Sequence, residues 1–426
     1  MKKRLYKLNF LMDKIAFGKL KRKLLIFLAV FGPATVTAMA DNDAAGVATY
    51  SLAGAKFGYS ILFVLLLVTI LLAITQEMGV RIAMITGKGL GDLIRERYGV
   101  KLSVFVFFGL LIANMGTVIA NFAAIKITAS MFGFPPTVLI VGIVILSFLF
   151  ITKGSYKTNQ NIFLISSIFY FAYVISAVKA QPDWSRAFTS VVFPTGIQFS
   201  REFVFASIAV VGTTITPWGQ FFVHSFVLDK KLSPDKLKYE QFETFFGAFL
   251  TNFFSFFMIV ATAATLFVNG IPLITGEQAA LAIKPFAGQL ASVLFGLGIL
   301  NAGFMGIVIV SLTTAYAFAE FFGVEGSLDA PFEKGKVFYG IFLFQLIVAA
   351  FIVMNPAISL FKIVFYTQSL NGVLLPLILY FLLKITNDKE LMGMYVNKKW
   401  YNYFAVISSI VIIFAFLFTL ISSIVG

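Results

Sequence analysis

Long apolar runs recur along the whole of this 426-residue chain, and they constrain its fold more than any other feature. Each run is about 20 residues long, the length an α-helix needs to cross the hydrocarbon core of a bilayer. The runs are continuous rather than alternating, which favours helices over membrane strands. Only 12% of the residues are charged, against about a quarter in soluble domains. The sequence therefore predicts an all-α integral membrane protein.

The apolar runs predict eleven membrane helices in one transport domain, residues 25–426, after a basic tail, residues 1–24. Lys and Arg concentrate in alternate loops, and such loops face the cytoplasm. The expected location is the plasma membrane, with multiple spans, a cytoplasmic N-terminus and an external C-terminus. The tail is expected to be retained, since no small-residue cleavage site follows the first run. The predicted spans are 25–52, 58–85, 102–132, 135–152, 160–178, 202–228, 240–268, 286–321, 336–354, 358–384 and 401–425.

Composition also narrows the chemistry. The chain has no cysteine and one histidine, His224, so thiolate and histidine-rich metal sites are excluded. The net charge of +14 invites a nucleic-acid partner, but the basic residues lie between membrane spans, so we predict no nucleic-acid binding. No loop carries a catalytic constellation, and we predict neither an enzyme nor a bound cofactor. The expected surroundings are a lipid bilayer, and the sequence identifies no protein partner.

The first predicted helix is interrupted near its middle by Asp41, Asn42 and Asp43, with Gly46 shortly after. Asp, Asn and Gly are poor helix formers, so the helix is expected to unwind there. Unwound backbone at membrane depth is tolerated where it lines a cavity or binds an ion. Two carboxylates, free carbonyls and no sulfur make a site for a hard cation.

The sixth predicted helix carries a second interruption, from Thr213 through Thr216 to Pro217. Proline inside a helix removes a backbone hydrogen bond and kinks or splits the helix. Breaks in helices one and six, five helices apart, are what an inverted five-plus-five repeat predicts, with the substrate between them. The eleventh helix is then accessory.

Other polar residues within the spans have two interpretations. Gln368, in the tenth helix, offers an amide oxygen to an ion or a hydrogen bond to a neighbouring helix. Asn114, Thr117 and Asn121 share one face of the third helix, which either borders an aqueous path or, as we favour, packs against another helix. Glu77 and Arg81, four residues apart, predict a structural ion pair.

With these features together, the sequence resembles the NRAMP family of divalent metal transporters over nearly its whole length, and most closely the NRAMP-related magnesium transporter branch. The resemblance implies a LeuT-like fold of ten helices in two inverted repeats plus an eleventh. The segments that carry it are Gly32-Pro33-Ala34, Ala48-Thr49, Ala53-Gly54-Ala55, Phe57-Gly58-Tyr59, Thr86-Gly87-Lys88-Gly89-Leu90, Leu93-Ile94-Arg95, Gly212 with Thr214 and Pro217, Asn371-Gly372 with Leu374-Leu375-Pro376, and Leu391-Met392-Gly393.

The family's ion site combines an Asp-Pro-Gly-Asn motif in the first helix with an Ala-x-x-Met-Pro-His motif in the sixth. In register, the motif aspartate falls on Asp43 and the ligand asparagine on Gly46. The alanine that offers its carbonyl falls on Thr213, the methionine on Thr216 and the histidine on Trp218. Loss of the soft thioether weakens any preference for transition metals. We expect Gly46 to enlarge the site and to remove one ligand.

These departures predict a Mg²⁺ uptake carrier that also takes Mn²⁺, works by alternating access and is not coupled to protons. The metal is the transported substrate. The alternatives are a proton-coupled Mn²⁺/Fe²⁺ carrier, a carrier for a trivalent ion such as Al³⁺, a LeuT-fold symporter for an organic substrate, and a passive channel. The predicted metal-site residues are Asp43, Asp41, Asn42, Gly46, Thr213, Thr216 and Gln368.

Overall fold

The structure is a computed structural model, and it describes residues 25–27, 29–197, 200–273, 278–355 and 360–425. The side chains of 360–369, 373 and several residues after 411 lie outside the described set. The basic tail and the Gln368 side chain therefore fall outside the described residues. Helices make up nearly all of the described chain, as the sequence predicts.

A helix or a pair of helices lies in each of the predicted spans. We number the α-helices in chain order. They are α1 (Pro33–Ala40), α2 (Ala44–Phe57), α3 (Leu62–Thr86), α4 (Leu90–Tyr98), α5 (Val100–Met131), α6 (Pro136–Lys153), α7 (Tyr156–Ser167), α8 (Phe171–Lys179), α9 (Trp184–Val192), α10 (Arg201–Thr214), α11 (Pro217–Asp229), α12 (Leu237–Thr262), α13 (Ala279–Ala282), α14 (Lys284–Phe322), α15 (Lys336–Met354), α16 (Leu360–Thr386), α17 (Lys389–Met392) and α18 (Lys399–Val425).

Seven helical segments of the described chain are long and apolar enough to cross a membrane, or eight if a bent pair near the C-terminus counts as one span. The protein is thus a multi-pass membrane protein, while the count of eleven spans stays a prediction. Exposed apolar side chains such as Val138, Val141 and Ile145 lie on the outer faces of these helices, as contact with lipid requires. The seven segments are 44–86, 100–131, 136–153, 156–179, 234–267, 284–322 and 336–354.

Two helix pairs are broken where the sequence predicts breaks. Helix α1 ends at Ala40, and α2 begins at Ala44. Helix α10 ends at Thr214, and α11 begins at Pro217. Proline suits this first position because its missing N–H would have no partner inside the helix. Both breaks are buried.

Two long helices hold the broken pairs in place. Helix α12 packs against α1, α2 and α3, and α14 packs against α5, α8 and α11. The short helix α1 is therefore enclosed, and every residue from Pro33 to Ala40 is buried. This packing brings both breaks together at the centre of the bundle.

The lysine-rich loops mark one end of the bundle, which we term the basic face. It includes the loops around Lys88, Lys153, Lys230 and Lys389. The N-terminal end of α1 lies at this face, because Lys230 donates to the carbonyl of Phe31 at 2.9 Å. The face also holds an open cavity of about 480 Å³, whose acidic lining residues include Asp92, Asp229, Glu320 and Asp329.

Candidate metal site

Asp43 sits in the gap between α1 and α2 and caps the second of them. Its Oδ1 accepts the Gly46 N–H at 2.8 Å, which satisfies one of the free amides at the start of α2. Its Oδ2 accepts from the side-chain amide of Asn121 on α5 at 2.8 Å. The carboxylate is therefore fixed from two sides.

Asp41 follows the last turn of α1 and faces the second break. Its Oδ1 accepts from the hydroxyl of Thr216 at 3.2 Å, and its Oδ2 accepts from the Gln76 amide at 3.3 Å. The side chain is almost fully buried. Asp41 thus turns inward and joins the break in α1–α2 to the break in α10–α11.

Thr216 begins α11 in the same manner in which Asp43 begins α2. Its hydroxyl accepts the Gly219 N–H at 3.1 Å while donating to Asp41. Each break therefore supplies one side chain that caps the N-terminus of the helix after it, α2 or α11. In both cases the capping oxygen belongs to a residue predicted to bind the metal.

A small cavity lies between the breaks. Its volume is about 10 Å³, which is room for one water-sized species. Four of the residues that line it are predicted metal-site residues, and four are not. The lining residues are Asp41, Asp43, Ala45, Thr117, Thr213, Thr216, Trp218 and Asn371.

Gly46 plays a different part from the expected one. A Cβ atom at this position would lie 2.7 Å from the Asp41 carbonyl oxygen and 3.4 Å from the Thr213 hydroxyl. The glycine therefore does not enlarge the site in this structure. It lets the first turn of α2 approach the end of α1 and the end of α10, so that the site can close.

Asn42 lies between the two aspartates but points away from them. Its side-chain N–H donates to the Thr251 carbonyl at 2.7 Å, and its side-chain oxygen accepts from the Ser255 hydroxyl at 2.8 Å, both on α12. Its backbone carbonyl accepts from the Tyr170 hydroxyl at 3.0 Å. Asn42 thus ties the unwound segment to α12 and to the turn before α8, and its side-chain oxygen is already occupied.

The polar groups around the cavity suit a cation. Helices α1 and α10 both end at the breaks, and the C-terminal end of a helix carries partial negative charge. The side chains that line the cavity offer oxygen from two carboxylates, three threonines and one asparagine. Within the described residues no group of three or more His, Cys, Asp or Glu side chains could hold a metal. A metal here would depend on the two carboxylates and on neutral oxygens.

Asn121 has a larger part in the site than the sequence indicates. Its Nδ2 donates to Asp43 and to the Thr117 carbonyl, and its Oδ1 accepts the Ala44 N–H at 2.9 Å. The sequence favours helix packing for the α5 face that carries it. Asn371 also reaches this face, donating to the Thr117 hydroxyl at 3.4 Å. Helical spacing identifies the face, but not its partner.

Comparison with known proteins identifies the family of this chain. Residues 34–422 match the family model described as "Natural resistance-associated macrophage protein-like". The chain belongs to the Nramp family. Among curated relatives, "Divalent metal cation transporter MntH" of Klebsiella pneumoniae is 25% identical over 384 residues, 88% of this chain and 89% of that protein. The protein of the same name from Yersinia pestis is 25% identical over 388 residues, 88% and 90% of the two chains. By name these relatives are transporters, not enzymes.

Solved structures give the same fold at lower identity. The Eremococcus coleocola manganese transporter matches with a TM-score of 0.74 and 19% identity, covering 94% of this chain and 87% of that one. A Na⁺-coupled sialic acid symporter matches with a TM-score of 0.54 and 14% identity, covering 93% and 97%. The Nramp chain therefore has a LeuT-like transporter fold.

Proposed function

We propose that this protein is a carrier that takes up Mg²⁺, and also Mn²⁺, through the site between the two helix breaks. Asp43 and Asp41 supply the negative charge, Thr213 a backbone carbonyl, and Thr216 a hydroxyl or carbonyl. Gly46 allows close approach. The sequence also predicts Asn42 and Gln368 as ligands, and the hydrogen bonds of Asn42 favour a positioning role for it.

Family membership and the names of the relatives support a divalent metal as the substrate. The choice of a hard ion rests on the lining of the cavity. Among the described residues that form it, the side-chain atoms able to bind a metal are carboxylate, hydroxyl and amide oxygens, and none is sulfur. Sulfur ligands select softer transition metals, and carboxylate, carbonyl and water ligands suit Mg²⁺ and Mn²⁺. Thr216 stands where the family motif has methionine, so the hydroxyl replaces the thioether.

Alternating access follows from the position of the site. The cavity between the breaks holds one water-sized species, while the larger acidic cavity opens at the basic face. Mg²⁺ gives up its water reluctantly, so a hydrated ion needs a wider site than this one. We infer that the site widens toward one face at a time, by movement of one inverted repeat of five helices against the other, with the eleventh helix accessory.

We infer the orientation of the chain from its charge pattern, and the direction of transport from the membrane potential. Since lysine-rich loops face the cytoplasm, we assign the basic face to the cytoplasm, the N-terminus to the inside and the C-terminus to the outside of the plasma membrane. An inside-negative potential is worth about 2.3 kcal/mol per charge per 100 mV. A divalent cation carried alone would therefore be drawn inward without a coupled proton.

Independence from protons is the second part of the proposal. The α5 face next to Asp43 carries the neutral residues Asn114, Thr117 and Asn121, and Trp218 replaces the motif histidine. The rival is a proton-coupled Mn²⁺ or Fe²⁺ carrier. A solved protein of the same fold is by name a manganese transporter. Since both candidates carry Mn²⁺, Mg²⁺ flux and proton movement are what distinguish them.

Flux into proteoliposomes separates the two candidates. We expect uptake of Mg²⁺ and Mn²⁺ with no acidification of the lumen, and uptake should rise when an inside-negative potential is imposed. Asp43→Ala should abolish flux, while Asp235→Ala, exposed in the turn after α11, serves as the carboxylate control and should retain it. Mn²⁺ flux with acidification and no Mg²⁺ flux contradicts the magnesium proposal. Undiminished flux in Asp43→Ala contradicts the site.

A further inference from the structure

A second group of buried charged side chains lies at the basic face, at the opposite end of α1 from Asp41. It consists of Glu240 and Glu243 on α12, which we term the glutamate pair, and of Lys230 just after α11. Both glutamates have no exposed surface. Nothing in the proposed transport site uses these residues.

Glu243 caps the start of α1. Its Oε1 accepts the backbone N–H of Gly32 at 2.8 Å and of Thr35 at 2.9 Å. The residue at the N-cap position of α1 is Gly32, which has no side chain to cap the helix. The cap of this short helix therefore comes from a carboxylate on a different helix, 211 residues from Gly32 in sequence.

Lys230 holds the residues that lead into α1. Its ammonium donates to the carbonyls of Val30 and Phe31, the second at 2.9 Å. Among the described residues, no carboxylate oxygen of the glutamate pair lies within 4.0 Å of the Lys230 ammonium nitrogen. Glu243 thus binds backbone amides, and Lys230 binds backbone carbonyls, of the chain where it enters α1.

Three of the four carboxylate oxygens of the glutamate pair lack a hydrogen-bond donor among the described residues. Glu240 lies beside Glu243, and the Ala34 amide and the Thr35 hydroxyl lie near the pair. Within the described chain, neither Glu240 oxygen nor Glu243 Oε2 accepts a hydrogen bond of ordinary geometry. The Tyr156 hydroxyl and Gln160 Oε1, both buried on α7, are also without partners there. Two adjacent buried carboxylates cannot both ionise at low cost, and Lys230 offsets only one of the two charges.

We propose that the glutamate pair binds one shared proton, which keeps α1 latched to α12 at the basic face. Lys230 and Tyr156 are the other titratable groups that face the pair, with Asp229 and Asp329 beyond Tyr156. On the adjoining side of α12, Gln241 binds Glu77, whose charge Arg81 offsets. Helix α1 itself contributes no titratable residue between Gly32 and Ala40.

The latch acts on access to the transport site. Loss of the shared proton leaves two buried carboxylates facing each other, and their repulsion loosens the cap on α1. Since Asp41 follows the other end of this eight-residue helix, release of α1 at the basic face opens a way toward the site. The proton leaves to, and returns from, the solution at the basic face, and it is not carried across the membrane with the metal.

Infrared difference spectroscopy tests the site directly. A protein that holds the proton should show the carbonyl stretch of a protonated carboxylic acid at neutral pH, shifted in D₂O. The intensity that the pair contributes to this band should be lost in Glu240→Gln and in Glu243→Gln, because each variant leaves a single carboxylate that needs no shared proton. The exposed Glu333→Gln is the control and should keep it. A band of unchanged intensity in both pair variants, or no band in the parent protein, overturns the proposal.

Thiol labelling tests the latch. The chain has no cysteine, so Ala38→Cys, buried in α1, serves as a single reporter, and Ser233→Cys, exposed at the basic face, corrects for titration of the thiol. The ratio of their alkylation rates should rise with pH in the parent and become independent of pH in Glu240→Gln. An unchanged pH dependence in that variant overturns the latch, and so does a ratio that does not change with pH in the parent protein. Neither assay measures transport, so failure here leaves the transport proposal untouched.

Discussion

Asn121 on α5 binds both Asp43 and the residue that follows it at the first helix break. The Asn121 amide donates to Asp43 Oδ2 at 2.8 Å, while its oxygen accepts the N–H of the following residue, Ala44, at 2.9 Å. An asparagine can do both because its amide carries a donor and an acceptor. The two hydrogen bonds set the orientation of the main candidate ligand relative to the first turn of α2.

Changing Asn121 should therefore weaken metal binding more than it weakens folding. Asn121→Ala removes both hydrogen bonds and leaves the Ala44 N–H unsatisfied, at a cost of about 1–3 kcal/mol. Asn121→Asp sets a second carboxylate against Asp43 and should reduce flux further. The measurement is metal affinity by calorimetry alongside thermal stability.

Asn114→Ala is the matched control for Asn121. Asn114 lies on the same face of α5 and donates to the Thr314 hydroxyl at 2.9 Å, away from the cavity. Its loss should lower stability without changing metal affinity. Equal loss of affinity in the two variants would contradict a specific role for Asn121.

Thr216→Met should shift selectivity toward softer metals. The Thr216 hydroxyl lies 3.2 Å from Asp41 Oδ1, so a thioether there would join the lining of the cavity. Sulfur ligands favour a soft ion such as Cd²⁺ over the hard ion Mg²⁺. The ratio of Cd²⁺ to Mg²⁺ affinity should rise, measured by competition in the same preparation.

Thr216→Ser separates the hydroxyl from its methyl group. Serine keeps both the cap on Gly219 and the donor to Asp41, so selectivity should match that of the parent. If Thr216→Met left the Cd²⁺ to Mg²⁺ ratio unchanged, the side chain at this position would not face the ion.

Gly46→Ala should impair closure of the site. The new Cβ would lie 2.7 Å from the Asp41 carbonyl oxygen, a contact that forces α2 away from the end of α1. Gly142→Ala is the control, because no atom lies within 4 Å of its Cβ position and alanine is about 1 kcal/mol better than glycine inside a helix. Thermal stability and flux should fall in the first variant and hold or rise in the second. A stable, active Gly46→Ala would show that the close approach is dispensable.

The two breaks are predictable from sequence because their causes are local. Asp, Asn and Gly in one apolar run and Pro217 in another disfavour continuous helix whatever surrounds them. The expectation that Gly46 makes room is wrong for this structure, because the space beside a glycine depends on what packs there. Here the end of α1 fills it.

The direction of side chains in the unwound segment depends on distant residues. Asn42 turns toward Thr251 and Ser255, which lie 209 and 213 residues away, and no pattern near Asn42 indicates these partners. The same holds for Glu243, whose partners are backbone amides at Gly32 and Thr35. The periodicity of polar residues in the sequence identifies the faces of helices. Which face packs against which can be seen only in the folded structure.

Arg81 has a structural role that the sequence does predict. It forms a two-point ion pair with Glu77, both contacts at 2.9 Å, as the spacing of four residues suggests. It also donates to the Tyr395 carbonyl and to Asn397, which ties α3 to the segment before α18. Both side chains of the ion pair are buried.

Arg81→Met should destabilise the protein by about 3–5 kcal/mol, because it leaves the Glu77 charge buried without its partner. Adding Glu77→Gln should recover part of this loss, since the uncompensated charge is removed. Lys88→Ala breaks the exposed pair with Glu96, whose side chains are each 44% exposed, and should cost no more than about 1 kcal/mol. Thermal unfolding in detergent measures all three. A double variant no more stable than Arg81→Met would mean that the contacts to Tyr395 and Asn397, rather than the ion pair, account for the loss.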